Sequence, residues 1–309
     1  MSLPPLVPPL KCQGIKTKLV GEIDRLLEGA SPYSRWVEPF CGSCVTAFNI
    51  QPRKALLCDS NIHIIRFYED IQSRKLTPAS VREFLEEHGG KLREQGEDYY
   101  YVMREQFNTF PDSLAFLFLN RSCFNGVMRF NRHGKFNVPY CHKPERFSAA
   151  YVTKIVNQVR RIQEVITQSD WIFRAIDFRE TLATLEEGDF VYADPPYMGR
   201  HVDYFNSWNE ADEAELAKML KEANCKFILS TWHSNEFRTN HLILENWSDP
   251  SFHLFTRKHF YHVGSTEELR HPMIEALITN FAGAQHQSIE ELAEQLTLLE
   301  EPPPYLPAR

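Results

Sequence analysis

The residue types best suited to chemistry stand together at Asp194, Pro195, Pro196 and Tyr197, directly after the apolar run Phe190–Ala193. Such a run predicts a buried strand, and ligands of open α/β sheets bind at the carboxyl ends of strands. Two successive prolines remove two backbone N–H donors and stiffen the turn. The remaining carboxylate and carbonyl acceptors, beside an aromatic ring, suit a planar amine that stacks on Tyr197. A stiffened surface turn without chemistry is the alternative.

A second group of candidates suits a cofactor that carries adenosine. The sequence Glu38-Pro39-Phe40 ends an apolar run and leads into a turn at Gly42, where the backbone can approach a ligand closely. Asp59 follows the next apolar run, roughly 20 residues after the glycine turn, which is the spacing of an acid that binds ribose hydroxyls. A single glycine is weak support, and the turn and the acid together favour such a cofactor more than either alone.

Cys41 and Cys44 form a C-x-x-C pair within the same turn. A zinc or thioredoxin-like site is the alternative to simple packing, but no second pair and no nearby histidine pair completes a zinc site. We therefore predict no metal, and expect both cysteines to pack the turn. The seven cysteines of the chain lack the spacing of a disulfide framework, which predicts a reducing, cytoplasmic location.

The stretch from 120 to 139 is dense in Asn, Arg, Phe and Gly. From Arg121 to Arg146 the chain carries six basic residues against one acid, Glu145, although the whole protein has a net charge of −7. Arg and Asn side chains read base edges, Arg and Lys hold phosphates, and aromatic side chains can wedge into an opened duplex. This stretch predicts a nucleic-acid surface, and a solvated basic loop is the alternative.

The elements that must position these residues alternate between strands and helices. This order predicts an α/β fold with a parallel sheet, formed by residues 1–73 and 166–283, and a mostly helical insert over 74–165. The tail, 284–309, places Ile289, Leu292, Leu296 and Leu299 on one helical stripe before a Pro-rich end, and is expected to pack on the body or a partner.

Composition excludes several classes of protein. The 309 residues suffice for one large domain or two ordinary ones, and 43% hydrophobic with 24% charged residues is ordinary globular composition. An apolar run of the roughly 18 residues needed to cross a bilayer is missing, which excludes a membrane span. The start, MSLPPLVPPL, is interrupted by prolines and has no basic leader, so it does not predict a signal peptide.

In order along the chain, these motifs resemble those of the Dam-like class of N6-adenine DNA methyltransferases. The resemblance extends over roughly residues 8 to 282. It is carried by the stretches Pro9–Lys11 with Gly14–Lys16, Glu38–Phe40, Asp59–Asn61, Asn120–Pro139, and Gly188-Asp189 leading to Asp194–Tyr197. Gly14–Val20, Gly199–Trp208 and His259–Gly264 are similar to the branch of the family that belongs to the EcoRV restriction–modification system.

The resemblance implies a Rossmann-like methyltransferase sheet with an inserted DNA-recognition domain, S-adenosylmethionine as cofactor, and double-stranded DNA as partner, with a separate cognate restriction endonuclease as a further possible partner. It implies catalysis by Asp194, Pro195, Pro196 and Tyr197, and a site containing GAT, either GATATC or GATC. The residues implied for the cofactor are Cys12, Lys16, Glu38, Phe40, Gly42, Asp59, Asp177, Phe178 and Asp194. Those implied for DNA are Lys11, Phe124, Asn125, Arg129, Asn131 and Pro139.

The chain departs from the family pattern at two positions. Cys12 stands where Trp is frequent, which puts an aromatic contact to the cofactor in doubt, and Cys44 stands where a second glycine is frequent. Two alternatives to DNA methylation stay open at this point. One is methylation of RNA or of a protein glutamine, where Asn usually precedes Pro-Pro-Tyr. The other is a non-catalytic DNA-binding protein, against which the intact Asp194–Tyr197 motif argues.

Overall fold

A computed structural model describes residues 4–30, 32–197, 208–235, 238–260 and 272–282. The predicted C-terminal stripe and the residues Gly199–Ser207 and Tyr261–Gly264 of the resemblance lie outside these ranges. The chain divides into two compact units, one formed by 1–24 and 33–225, the other by 25–32 and 226–309. Among the described residues, no helix is both long and apolar enough to cross a membrane.

The first unit contains a parallel sheet of four strands in the order β3-β2-β1-β4. The strands are β1 (Arg35–Glu38), β2 (Lys54–Cys58), β3 (Asp170–Arg174) and β4 (Asp189–Ala193). All five residues of β4 and three of the four in β1 are buried, as expected for the interior of a parallel sheet covered on both faces. The predicted α/β class is confirmed, because α2 (Val45–Ile50) and α3 (Ile62–Gln72) alternate with these strands.

Four helices that follow α3 and precede β3 confirm the predicted helical stretch. They are α4 (Pro78–Gln95), α5 (Glu97–Thr109), α6 (Ser113–Ser122) and α7 (Ala149–Thr167), with 3₁₀ turns at Phe124–Gly126 and Pro144–Phe147. Thr77 begins α4 through a capping box with Ser80, and the Asp112 side chain accepts the first backbone N–H groups of α6. Between α6 and α7 the chain folds into a hairpin-like loop, bridged at Cys123 to Tyr140 and at Phe130 to Phe136.

The first unit also contains α8 (Phe178–Ala183) and α9 (Glu210–Glu222), while α1 (Val20–Glu28) spans the boundary between the units. In the second unit, β5 (Lys226–Asn235) and β6 (His253–Phe260) both pair antiparallel with β7 (Pro272–Thr279), and α10 (Leu242–Trp247) lies between β5 and β6 in sequence. The predicted parallel sheet therefore does not describe these strands, which pair antiparallel. Strand β6 was not predicted, since adjacent charges at Arg257 and Lys258 interrupt its apolar alternation.

Candidate active site

An acidic residue lies at the end of each of the four parallel strands or shortly after it. Glu38 is the last residue of β1, Asp59 follows β2, Asp177 comes three residues after β3, and Asp194 follows β4. Since the carboxyl ends of parallel strands meet at one edge of the sheet, the topology gathers these acids at the edge where α/β proteins bind ligands. The sequence pattern predicted strand ends before Glu38, Asp59 and Asp194, whereas Asp177 was implied by the resemblance alone.

Lys16 lies against the Asp-Pro-Pro-Tyr motif, although 178 positions separate it from Asp194. Its ammonium nitrogen is 2.9 Å from Asp194 Oδ1 and donates to the Gly14 carbonyl at 2.9 Å. The same nitrogen lies 4.6 Å from the ring centroid of Tyr197, within the range of a cation–π contact. Lys16 is only 4% exposed, so its charge compensates the Asp194 carboxylate largely out of reach of solvent. A carboxylate, a carbonyl and an aromatic ring thus already hold one nitrogen donor at this site.

Glu38 is buried with 1% of its surface exposed. Trp36 Nε1 donates to its Oε1 at 2.8 Å. Burial raises the pKa of Glu38 to about 8, and the negative charge of Asp194 acts in the same direction, whereas the bonds from Trp36 and from the Ala47 backbone oppose the shift. At neutral pH this carboxyl is therefore mostly protonated.

Asp59 ties the glycine turn to the end of β2. Its Oδ2 accepts the Gly42 backbone N–H at 2.9 Å, and its Oδ1 accepts that of Asn61 at 2.8 Å. Each carboxylate oxygen has a second lone pair, which leaves room for hydroxyl donors. Gly42 has φ +47°, and an added Cβ would lie 3.4 Å from Cys12 Sγ. Glycine therefore suits both the left-handed backbone and the close approach of Cys12. Burial raises the pKa of Cys12 to about 12, so its thiol stays neutral.

An aromatic cluster lies beside these acids. The rings of Phe40 and Phe178 stack with centroids 5.4 Å apart, and Trp208 meets Phe40 edge-on at 5.4 Å. The Asp177 side chain accepts the Arg179 backbone N–H and so begins α8. Arg179 lies with its guanidinium over Phe178 and pairs with Asp177 at 3.2 Å. Neither Arg179 nor Trp208 was predicted individually as a site residue. For Arg179, its position directly after Asp177 and Phe178 was the one local indication.

The residues expected to contact DNA lie on and beside the loop between α6 and α7. Phe124 is 53% exposed, and Asn125 and Pro139 are also exposed. Phe124 donates its backbone N–H to the Pro139 carbonyl, which brings the two ends of the loop together. Asn131 is exposed too, but its side-chain oxygen accepts the backbone N–H groups of His133 and Lys135 and so closes the turn.

Lys11 is joined to the start of this loop. Asn120, which is fully buried, accepts the Lys11 backbone N–H at 2.8 Å and donates to the Lys11 carbonyl at 2.9 Å. Burial lowers the pKa of Lys11 to about 8, and the charges of Arg146 and Arg121 add to this effect. Arg121 is itself 7% exposed and donates to Gln158, so it does not belong to the solvated basic surface that the sequence suggested.

Cys41 and Cys44 are both buried in the turn after β1. In the part of the chain that the structure describes, no three His, Cys, Asp or Glu side chains are grouped to hold a metal ion. Cys44 begins α2 with φ +55°, in the left-handed region that favours glycine. A glycine would adopt this backbone conformation without the strain that a side chain brings.

Comparison with known proteins identifies the family. The model of the D12 class N6 adenine-specific DNA methyltransferases matches residues 13–263. The chain belongs to this family. As a member it is an adenine-specific DNA methyltransferase, and this assignment favours DNA adenine over the RNA, protein and non-catalytic alternatives.

Individual relatives agree with the family. The methyltransferase is 33% identical to the retron Ec67 DNA adenine methylase of Escherichia coli over 220 residues, which cover 69% of this chain and 71% of that protein. It is 30% identical to the DNA adenine methylase of Serratia marcescens, covering 73% of this chain and 82% of the other. It is 28% identical to the modification methylase StsI of Streptococcus sanguinis over 88% of this chain, but spans only 42% of that longer protein.

Proposed function

We propose that the enzyme transfers a methyl group from S-adenosylmethionine to the N6 amine of an adenine in double-stranded DNA. The observation that supports this proposal best is the group formed by Asp194, Tyr197 and Lys16 at the carboxyl end of β4. The Lys16 ammonium already lies against the Asp194 carboxylate, the Gly14 carbonyl and the Tyr197 ring. In the proposed reaction an adenine amine uses the same carboxylate and ring with a different carbonyl, that of Pro195.

The residues at the sheet edge suit this cofactor. We assign Glu38 and Lys16 to its methionine end, Asp59 to the ribose hydroxyls, and Asp177 with the Phe40–Phe178 stack to the adenine. We assign Cys12 and Gly42 to the lining of the glycine turn, because the Cys12 side chain lies close to the Gly42 backbone. Acids near a cation, and aromatic rings near a flat base, match the chemistry of the ligand. When bound, the cofactor supplies an electrophilic methyl group.

The adenine amine is a poor nucleophile because its lone pair is delocalised into the ring. We propose that the two N–H groups of the amine donate hydrogen bonds to the Asp194 carboxylate and the Pro195 carbonyl. These bonds would localise the lone pair and direct it towards the methyl group. Pro196 keeps the turn rigid, and the Tyr197 ring stacks on the base. The base must leave the duplex to reach this pocket, and the unstacking is assisted by the protein's contacts with DNA.

DNA recognition is assigned to residues 74–165, the insert whose exposed loop carries Phe124, Asn125, Arg129, Asn131 and Pro139, together with Lys11. Aromatic and amide side chains at an exposed loop suit wedging and base contacts, whereas phosphate contacts alone carry no sequence information. Arg129 is the best candidate for a bidentate contact with guanine, which discriminates by about 1–3 kcal/mol.

The modified base is proposed to be the first adenine of GATATC, with GATC as the second candidate. This choice rests on the resemblance of Gly14–Val20 and the Gly199–Trp208 stretch to the EcoRV branch of the family. The names of two relatives, modification methylase StsI and type II methyltransferase M.FokI, belong to restriction–modification systems. We therefore also propose that a cognate restriction endonuclease acts separately on the same site.

Sequencing of methylated bases in DNA from cells that express the protein tests the proposal. We expect N6-methyladenine at GATATC, and much less of it in cells that express Asp194→Ala. Methylation at every GATC would select the second candidate. Modified adenines outside any GAT context would contradict the proposed specificity.

A further inference from the structure

Asn137 holds the guanidinium group of Arg129 in a fixed orientation. Arg129 Nε donates to Asn137 Oδ1 at 2.8 Å, and Arg129 Nη2 donates to the Asn137 backbone carbonyl at 3.1 Å. The Asn137 backbone N–H in turn donates to the Arg129 carbonyl at 3.2 Å, so the two residues face each other across the loop. Two parallel bonds from one residue fix the plane of a guanidinium group as well as its position.

Asn137 is itself firmly anchored, because its neighbours on both sides are buried. Phe136 and Val138 are each 1% exposed. Asn108 on α5 accepts the Phe136 backbone N–H at 2.7 Å and donates to the Phe136 carbonyl at 3.1 Å. Tyr100 donates to the Val138 carbonyl at 2.7 Å. In an extended segment alternate residues point to opposite sides, so this anchoring directs the Asn137 side chain away from the helices and towards Arg129.

A further contact holds the other strand of the loop. Phe130, next to Arg129, stacks on His63 of α3 with ring centroids 5.0 Å apart and 12° between the planes. Phe130 also meets Phe136 edge-on at 5.4 Å. Arg129 therefore extends from a loop whose two sides are both fixed to helices, and Asn137 accepts hydrogen bonds from two nitrogens of its guanidinium group.

We propose that Asn137 is a positioning residue for sequence specificity, which orients Arg129 for a bidentate contact with one guanine. The inference rests on the proposed function, in which Arg129 reads a base. Bidentate reading of guanine O6 and N7 depends on the plane and direction of the guanidinium group. Loss of the Asn137 side chain would leave the charge of Arg129 in place but would let the guanidinium group rotate. Specificity should then fall while overall affinity for DNA changes little.

The test compares kcat/KM on a duplex with the proposed GATATC site and on duplexes in which one base pair of the site is replaced at a time. Arg129→Ala should lose discrimination at one guanine–cytosine pair, and Asn137→Ala should lower discrimination at the same pair by about tenfold. The double variant should equal Arg129→Ala, because the two residues act as one unit. Asn224→Ala is a matched control, since Asn224 is exposed and lies outside residues 74–165, and it should retain wild-type discrimination.

Conservative variants separate orientation from folding. Asn137→Asp keeps an acceptor for Arg129 Nε, so discrimination should stay within about threefold of wild type. Its added negative charge should raise KM for all duplexes alike. Asn137→Gln moves the amide by one methylene and should lower discrimination as Asn137→Ala does, which preserves the test if the alanine variant does not fold.

Two results would overturn the inference and are distinguishable. If Arg129→Ala relaxes the site while Asn137→Ala keeps the wild-type ratio, or weakens all duplexes equally, Asn137 does not position the reader. If Arg129→Ala leaves every ratio unchanged, base reading by Arg129 fails as well, and the proposed mode of recognition must be abandoned.

Discussion

Cofactor binding should become tighter as pH rises from 6 to 7, because Glu38 must lose its proton. The carboxyl is buried with a pKa of about 8, and the groups that face it are the Trp36 and Ala47 N–H donors and the like charge of Asp194. In our proposal Glu38 lies near the cationic methionine end of S-adenosylmethionine. A cation there stabilises the carboxylate and lowers the pKa, so binding releases a proton.

The magnitude follows from the pKa. A carboxyl with a pKa near 8 is about 1% ionised at pH 6 and about 10% ionised at pH 7, so affinity should rise nearly tenfold, or about 1.4 kcal/mol. Roughly 0.9 proton should be released per cofactor bound at pH 7. The window ends near pH 8, where Glu38 is half ionised and the α-ammonium of the cofactor, with a pKa of about 8, begins to titrate.

The free energy of unfolding of the enzyme without cofactor should fall as pH rises, whereas the affinity for the cofactor should increase. The folded-state pKa of Glu38 lies above the ordinary value of 4.5, so its contribution to stability is present below pH 4.5 and is lost as pH rises through 8. Glu38→Gln removes this dependence, and the variant should melt at a higher temperature than wild type at pH 8.

Isothermal titration calorimetry in two buffers of different ionisation enthalpy measures both affinity and proton release. Glu38→Gln should lose the pH dependence, whereas Glu86→Gln, an exposed change on α4, should keep it. Equal wild-type affinity at pH 6 and 7 with no proton exchange would refute the reasoning, as would a wild-type pH dependence in Glu38→Gln.

Three further predictions concern residues around the glycine turn and the catalytic motif. Lys16→Met removes the cation that pairs with half-buried Asp194, so the pKa of Asp194 should rise and the acid limb of the kcat profile should move to higher pH; an unchanged profile would contradict the role of the ion pair. The double variant Cys41→Ser with Cys44→Ser should retain activity within about tenfold, with packing losses of roughly 1 kcal/mol, and metal analysis that finds stoichiometric zinc would contradict this. Cys44→Val should be destabilised by more than about 2 kcal/mol in urea unfolding, because a β-branched residue is strained at φ +55°; stability equal to wild type would show that the turn relaxes.

Local patterns were enough to predict the ends of the parallel strands and the acids that follow them. Apolar runs before Glu38, Asp59 and Asp194 mark strands, and the rule that ligands bind at carboxyl ends places these acids at one edge. The α/β class and the helical stretch between β2 and β3 followed from the same periodicities. These features depend on neighbours along the chain.

Features that depend on distant contacts were not predicted from local patterns. The pairing of Lys16 with Asp194 arises only when the start of the chain folds against β4. The burial of Arg121 could not be inferred from a basic stretch, because it depends on packing beside Gln158 of α7. The anchoring of Asn137 likewise requires Asn108, which is 29 positions away. In each case composition gives the residue type, and only tertiary structure gives its partner.

The most direct test of the central claim is the transfer of a labelled methyl group. Wild-type protein is incubated with methyl-labelled S-adenosylmethionine and duplex DNA containing GATATC, and the nucleosides are then separated and counted. We expect the label in N6-methyladenine, with Asp194→Ala slower by about 10² to 10³ in rate while duplex binding is retained, because a group aligned with the transition state is lost. Wild-type turnover by Asp194→Ala, or no label in N6-methyladenine with the wild-type protein, would contradict the account.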